Sequence, residues 1–222
     1  MLVGDVLMTE KKYVEATEAY QTAISKTQNG ALALRLYRAR WSAGDRETAL
    51  EGLTTWVEGN KDDRAARLVL AGGLLNTKRY PEATKLYEEL SEEVPDNAVI
   101  LNNLAWLYQQ QDDPRAVELA ERAHKSAPES PRVMDTLGWI LVQSGDAARG
   151  VELLEKARDK LPLEPDVLYH YAVGLHRVGR SDEAAKYLRN LVNFYGDFSS
   201  IDEARALLDE IGAAGKSGNS KN

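Results

Sequence analysis

A small residue returns along this chain at a nearly fixed interval. It stands at Ala16, Ala49, Ala83, Ala116, Gly150 and Ala184, in steps of 33, 34, 33, 34 and 34 residues. Such a period constrains a fold more tightly than composition does. Every unit must be the same supersecondary element, and each must bury one face on its neighbours. The rest of the unit repeats in step. Four residues after the small position come Tyr20, Leu53, Tyr87, Ala120, Leu154 and Leu188; three further on come Ala23, Trp56, Leu90, Ala123, Ala157 and Leu191. Upstream, Val3, Leu36, Leu70, Leu104, Leu137 and Tyr171 are followed at once by Gly4, Tyr37, Ala71, Ala105, Gly138 and Ala172. Offsets of three and four residues are helical spacing. Glycine interrupts the pattern inside units, at Ser-Ala-Gly-Asp (42–45), Gln-Ser-Gly-Asp (143–146) and Arg-Val-Gly-Arg (177–180), where a left-handed residue can end a helix. Pro95, Pro128 and Pro162 close units, because proline cannot continue a helix.

Each unit is therefore expected to be two antiparallel helices. Small residues sit where the backbones cross, and larger apolar residues fill the grooves beside them. This pattern resembles the tetratricopeptide repeat. The resemblance implies an all-α fold, a right-handed α-solenoid of helical hairpins with a C-terminal capping helix. The expected units are residues 1–29 (truncated), 30–63, 64–97, 98–130, 131–164 and 165–198, with the capping helix at 199–211. The fourth unit has lost one residue, in its turn at Gln-Asp-Asp-Pro (111–114). The second departs most from the pattern, with Tyr37, Arg40 and Trp56 in small or apolar places. Residues 212–222 are small and polar and are expected to form a disordered tail. The chain opens at Met1-Leu2-Val3 already within a helical pattern, the expectation for a piece of a longer protein.

Composition narrows the partners. The net charge is −7, with Lys and Arg interleaved among Asp and Glu. That balance repels phosphate backbones and anionic lipid, so neither nucleic acid nor direct membrane insertion is expected. Without cysteine there is neither a disulfide nor a thiolate zinc site. His170 and His176 are six apart, on different faces of a helix, so they do not form a metal pair and are expected to be hydrogen-bonded or solvated. Ala-Gly-Gly-Leu (71–74) lies inside a helix and is no phosphate loop. Acidic pairs such as Glu92-Glu93 and Asp112-Asp113 fall at helix ends, as solvated caps do. No catalytic set, metal or cofactor is expected.

In proteins that this repeat resembles, first helices line a concave groove. Carried over by position, the fourth unit offers Asn102, Trp106 and Gln109, and the fifth offers Asp135, Trp139, Val142 and Gln143. The sixth offers Tyr169, Val173, His176 and Arg177. Trp106 and Trp139 hold the same place in successive units. Two readings stand side by side: rings that stack on a peptide or a sugar chain, or indoles packed between neighbouring first helices with only their edges showing. The groove positions that clamp chaperone carboxylates in one subset of such proteins hold Leu68, Gly72, Asn103, Arg132 and Thr136 here, and that clamp is not carried over.

A narrower resemblance covers residues 98–211. Leu-Asn-Asn-Leu-Ala-Trp-Leu-Tyr (101–108), Asp-Thr-Leu-Gly-Trp-Ile-Leu (135–141) and Asp-Glu-Ala-Arg-Ala-Leu-Leu (202–208) resemble the C-terminal end of the tetratricopeptide lipoprotein encoded with the PEP-CTERM/exosortase sorting and exopolysaccharide system. It implies a bacterial periplasmic location in a parent lipid-anchored to the envelope; the alternative is cytoplasmic. The expected function is a non-catalytic scaffold binding a protein, a peptide or a polysaccharide. Alternatives are a self-assembly module pairing through Val3, Val6 and Leu7, or an auxiliary domain of a larger enzyme.

Overall fold

The computed structural model describes residues 3–196 and 198–219; Met1 and Leu2 lie outside them. Among the described residues every regular element is a helix. The helices divide into two compact units, Met1–Pro95 and Asp96–Asn222.

The first unit holds three hairpins: α1 (Val3–Thr9) with α2 (Tyr13–Lys26), α3 (Gly30–Ser42) with α4 (Arg46–Gly59), and α5 (Arg64–Asn76) with α6 (Tyr80–Glu93). The second holds α7 (Ala98–Gln109) with α8 (Arg115–Ser126), α9 (Pro131–Ser144) with α10 (Ala147–Lys160), and α11 (Pro165–Arg177) with α12 (Ser181–Phe194). A last helix, α13 (Ile201–Asn219), packs on α12. It runs past the expected cap, so the backbone of 212–219 is helical where composition suggested a disordered tail. Residues 220–222 lie outside the described residues. The docked face of α13, with Ala204 and Ile211 in the core, supplies the nucleus from which those small residues continue.

The small residues behave as the crossing geometry demands. Ala16, Ala49, Ala83, Ala116 and Ala184 are buried, and Gly150 meets Gly138. The hairpin turns also share a geometry. Gly44, Gly145 and Gly179 have φ of 89°, 102° and 83°, and Lys11, Lys78 and Asp112 take the same place at 59°, 61° and 53°. In the fourth hairpin the left-handed residue is kept. The missing residue comes instead from the start of α8, which has 12 residues where the other second helices have 14. Helix entries are capped by side chains that accept from backbone N–H groups, at Asn29, Asp45, Asp63, Asn97 and Asp146.

The second hairpin's large residues each meet a glycine elsewhere. A Cβ at Gly73 would come within 2.5 Å of Tyr37 Oη, and one at Gly52 within 2.7 Å of Arg40 Nη1. At Gly30 a Cβ would strike the Asp63 carboxylate, which accepts from Trp56 Nε1 at 2.9 Å. At Gly73 the space a side chain would take is filled by Tyr37, which keeps that crossing close-packed. At the start of the chain Val3 and Val6 are exposed, while Leu7 packs on the core around Tyr20 and Leu36.

Candidate functional site

In the second unit the first helices α9 and α11 lie side by side, and α13 forms the wall opposite them. Between them is an open groove of about 650 Å³. From α9 come Trp139 and Gln143. From α11 come Tyr169, Val173, His176 and Arg177, and from α13 come Glu203, Ala206, Leu207 and Glu210. The α13 residues recur at three-, four- and seven-residue offsets, hence on one helical face.

The floor is aromatic. The Trp139 and Tyr169 ring centroids are 6.1 Å apart and tilted by 46°, and Tyr169 has Phe198 at 6.4 Å. Behind them Trp139 stacks on His170 at 4.3 Å and 22°. His170 Nδ1 lies 2.9 Å from Asp135 Oδ1. Asp135 is therefore turned to His170, holding the imidazole against the indole, and does not line the groove. His176 is fixed in turn by Ser181 Oγ, 3.0 Å from its Nδ1 at the start of α12. Burial, and then the Glu203 carboxylate, push the Tyr169 phenol above its ordinary value. Arg177 stands on the α11 side, with Glu203 and Glu210 on the α13 side.

Of the residues expected in a groove, the structure brings together Trp139, Gln143, Tyr169, Val173, His176 and Arg177. Asn102, Trp106 and Gln109 on α7 are partly buried and do not line this cavity; Asn102 Oδ1 is buried without a hydrogen-bond partner. Val142 is in the core, against Gly150 and Gly174. Sequence reasoning missed Glu203, Ala206 and Glu210, because α13 reads as a cap. The signal was present in its second, mixed face. Among the described residues no three His, Asp or Glu side chains converge as metal ligands, and no helix is long and apolar enough to cross a membrane.

Stacked helical hairpins with an aromatic, two-signed groove define a repeat-type binding scaffold. The chain belongs to the tetratricopeptide repeat family, whose model matches residues 34–98, 74–131 and 136–197. Its relatives include tetratricopeptide repeat protein 21A of Mus musculus, 23% identical over 187 residues, 84% of this chain and 12% of that protein. Protein 21B of Xenopus laevis is 23% identical over 101 residues, 46% of this chain and 8% of that protein. The chain thus spans only a small part of these relatives. Among solved structures, a tetratricopeptide repeat protein from Parabacteroides merdae superposes with a TM-score of 0.75 at 16% identity, covering 96% of this chain and 84% of that one. PilF of Pseudomonas aeruginosa gives 0.72 at 17%, covering 92% and 94%. YrrB, a TPR protein with an unusual peptide-binding site, gives 0.60 at 16%, covering 86% and 99%. At these identities the likeness is one of fold. Members of the family are generally non-catalytic scaffolds suited to binding proteins or peptides.

Proposed function

We propose that the groove between α9, α11 and α13 binds an extended peptide of a partner protein. The observation that carries this reading is a cavity of about 650 Å³ that joins aromatic anchors to charges of both signs on opposite walls. Large rings supply contact area at low entropic cost, and the rim charges orient the ligand. Trp139 and Tyr169 take apolar side chains of the peptide. Arg177 attracts an acidic group on one side, and Glu203 and Glu210 attract a basic one on the other.

The test is a peptide array followed by titration of its hits. Arrayed peptides should bind the full chain, and Trp139→Ala should weaken each hit by about tenfold or more, an interface hot-spot loss. Trp41→Ala should leave them unchanged. Hits that survive Trp139→Ala and Arg177→Glu together would overturn the assignment. Titration with the exported polysaccharide of the source cell is the competing arm: saccharide binding lost in Trp139→Ala would replace the peptide as ligand.

The phrases at 101–108 and 135–141 support a setting in the bacterial envelope, in a periplasm-facing parent of the sorting and exopolysaccharide type. Fractionation of source cells with an antibody to this chain tests it, and recovery in the cytosol would end that placement.

A further inference from the structure

From the second hairpin onward, each first helix opens on a residue of the same place: Asn29, Asp63, Asn97, Ser130 and Glu164. In four of these the next residue carries a side chain, at Arg64, Ala98, Pro131 and Pro165. In the second hairpin Asn29 is followed by Gly30, the single Asn-Gly pair of the sequence. The packing calls for that glycine, because a Cβ there would strike the Asp63 carboxylate. The carboxylate is itself held in place. Its Oδ2 accepts from Trp56 Nε1 at 2.9 Å, and its Oδ1 caps α5 by accepting from the Ala66 N–H at 3.0 Å.

Asparagine before glycine carries a reaction of its own. The backbone nitrogen of the following residue attacks the side-chain Cγ, and glycine has no Cβ to stand in the way. Three features of the junction between α2 and α3 favour this attack. The Asn29 residue is exposed. Its Oδ1 accepts from the Leu32 N–H at 2.9 Å, which polarises the carboxamide and draws it over the first turn of α3. The Gly30 N–H, one of the orphan donors of that turn, has no hydrogen-bond partner among the described residues.

We infer that Asn29 is a site of spontaneous covalent modification in the folded chain. The Gly30 nitrogen gives up its proton to water and bonds to Asn29 Cγ. The Cγ–Nδ2 bond breaks, and the nitrogen leaves as ammonia. Water then opens the cyclic imide at one of its two carbonyls. Opening at Cγ gives aspartate. Opening at the main-chain carbonyl gives isoaspartate, in which the chain runs through the former side chain. The products differ in what they do to the fold. Aspartate caps α3 as Asp63 caps α5. Isoaspartate adds a carbon to the main chain between α2 and α3 and withdraws the cap from Leu32. The first hairpin then loses its fit to α3, where Tyr20 packs with Leu32 and Leu36. The reaction is independent of the α9–α11–α13 groove.

The experiment ages the folded chain at mildly alkaline pH and compares two tryptic peptides, Thr27–Arg35 and Leu86–Arg115, by mass spectrometry. The first exchanges an NH2 for an OH at Asn29 and splits into two chromatographic forms, of which one is methylated by an isoaspartyl methyltransferase. The second holds the equivalent cap, Asn97 before Ala98, and keeps its carboxamide there. The exchange is faster at higher pH, because the attacking nitrogen must lose its proton. Separated from the aged chain, the isoaspartate form unfolds at lower urea, while the aspartate form keeps the unaged midpoint. Asn29→Ser still caps α3 but has no carboxamide, so it keeps both its mass and its midpoint on ageing. Exchange at Asn29 only in urea-unfolded chain, equal exchange at Asn29 and Asn97, or an isoaspartate form with the unaged midpoint would overturn the inference.

Discussion

The turn inside every hairpin requires one residue with positive φ, and the chain meets that requirement in two ways. Gly44, Gly145 and Gly179 adopt it freely, whereas Lys11, Lys78 and Asp112 adopt it against the clash of Cβ with the backbone. Lys78→Gly relieves a penalty of about 1–2 kcal/mol and gives back part of it as unfolded-chain entropy. The expected outcome is a gain of roughly 0.5–1 kcal/mol in urea unfolding. Gly150 makes the opposite case. The repeat pattern has alanine there in five units, so Gly150→Ala looks like a correction towards the pattern, worth about 1 kcal/mol in helix propensity. Yet a Cβ at Gly150 would stand 2.7 Å from the Gly138 carbonyl oxygen and from Val142 Cγ2. Backbone does not yield cheaply, so overpacking of about 1–3 kcal/mol wins and the variant unfolds at lower urea. An unchanged or raised midpoint would contradict this. The glycine turns are legible in the sequence; the left-handed lysines and the tight glycine pair are not, because a φ angle and an interhelical distance are not written in a residue type.

Helix pairs add electrostatic links that periodicity does not reveal. Between α5 and α6, Arg67 is buried, with Glu89 at 3.2 Å and Glu93 closer still, and it also donates to the Lys61 carbonyl. Hydrogen bonds from Arg67 and Arg64 hold the Glu93 carboxyl below its ordinary value. A carboxylate with a depressed folded pKa contributes stability above its unfolded pKa and loses it as pH falls through the folded one. Stability of the first unit should therefore fall below about pH 4.5, and Glu93→Gln should flatten that part of the profile in urea unfolding at stepped pH. A parallel profile would remove Glu93 from the acid response. At the alkaline end, burial, joined in Tyr20 by its hydrogen bond to Asp5, pushes the Tyr20 and Tyr37 phenols up to about 12. NMR titration of ring carbons should find both still protonated at pH 11. On α7, Asn97 Oδ1 accepts from the Val99 and Ile100 N–H groups at 3.0 and 3.1 Å. Asn97→Ala should cost about 1 kcal/mol.

In a hairpin stack each repeat is held by its neighbours, so stability depends on place in the stack. Within the second unit the α9–α10 hairpin has helices packed on both sides, and Leu137, Ile140, Leu154 and Ala157 are fully buried. Within the first unit the corresponding middle hairpin, α3–α4, borders an open cavity beside Gly52. Hydrogen exchange should find the slowest amides in α9 and α10 and faster exchange in α3 and α4. Uniform protection across both units would contradict this.

The amino-acid sequence alone determined the hairpin, its period and the small residues at each crossing, since all of these follow from helical spacing within about 34 residues. Only the tertiary structure decided that Asp135 serves His170, that α13 completes the groove as a wall, and that the Asp63 carboxylate lies against Gly30. Those outcomes depend on how closely helices approach and on which side chains, distant along the chain, share the space between them. Local periodicity carries neither quantity.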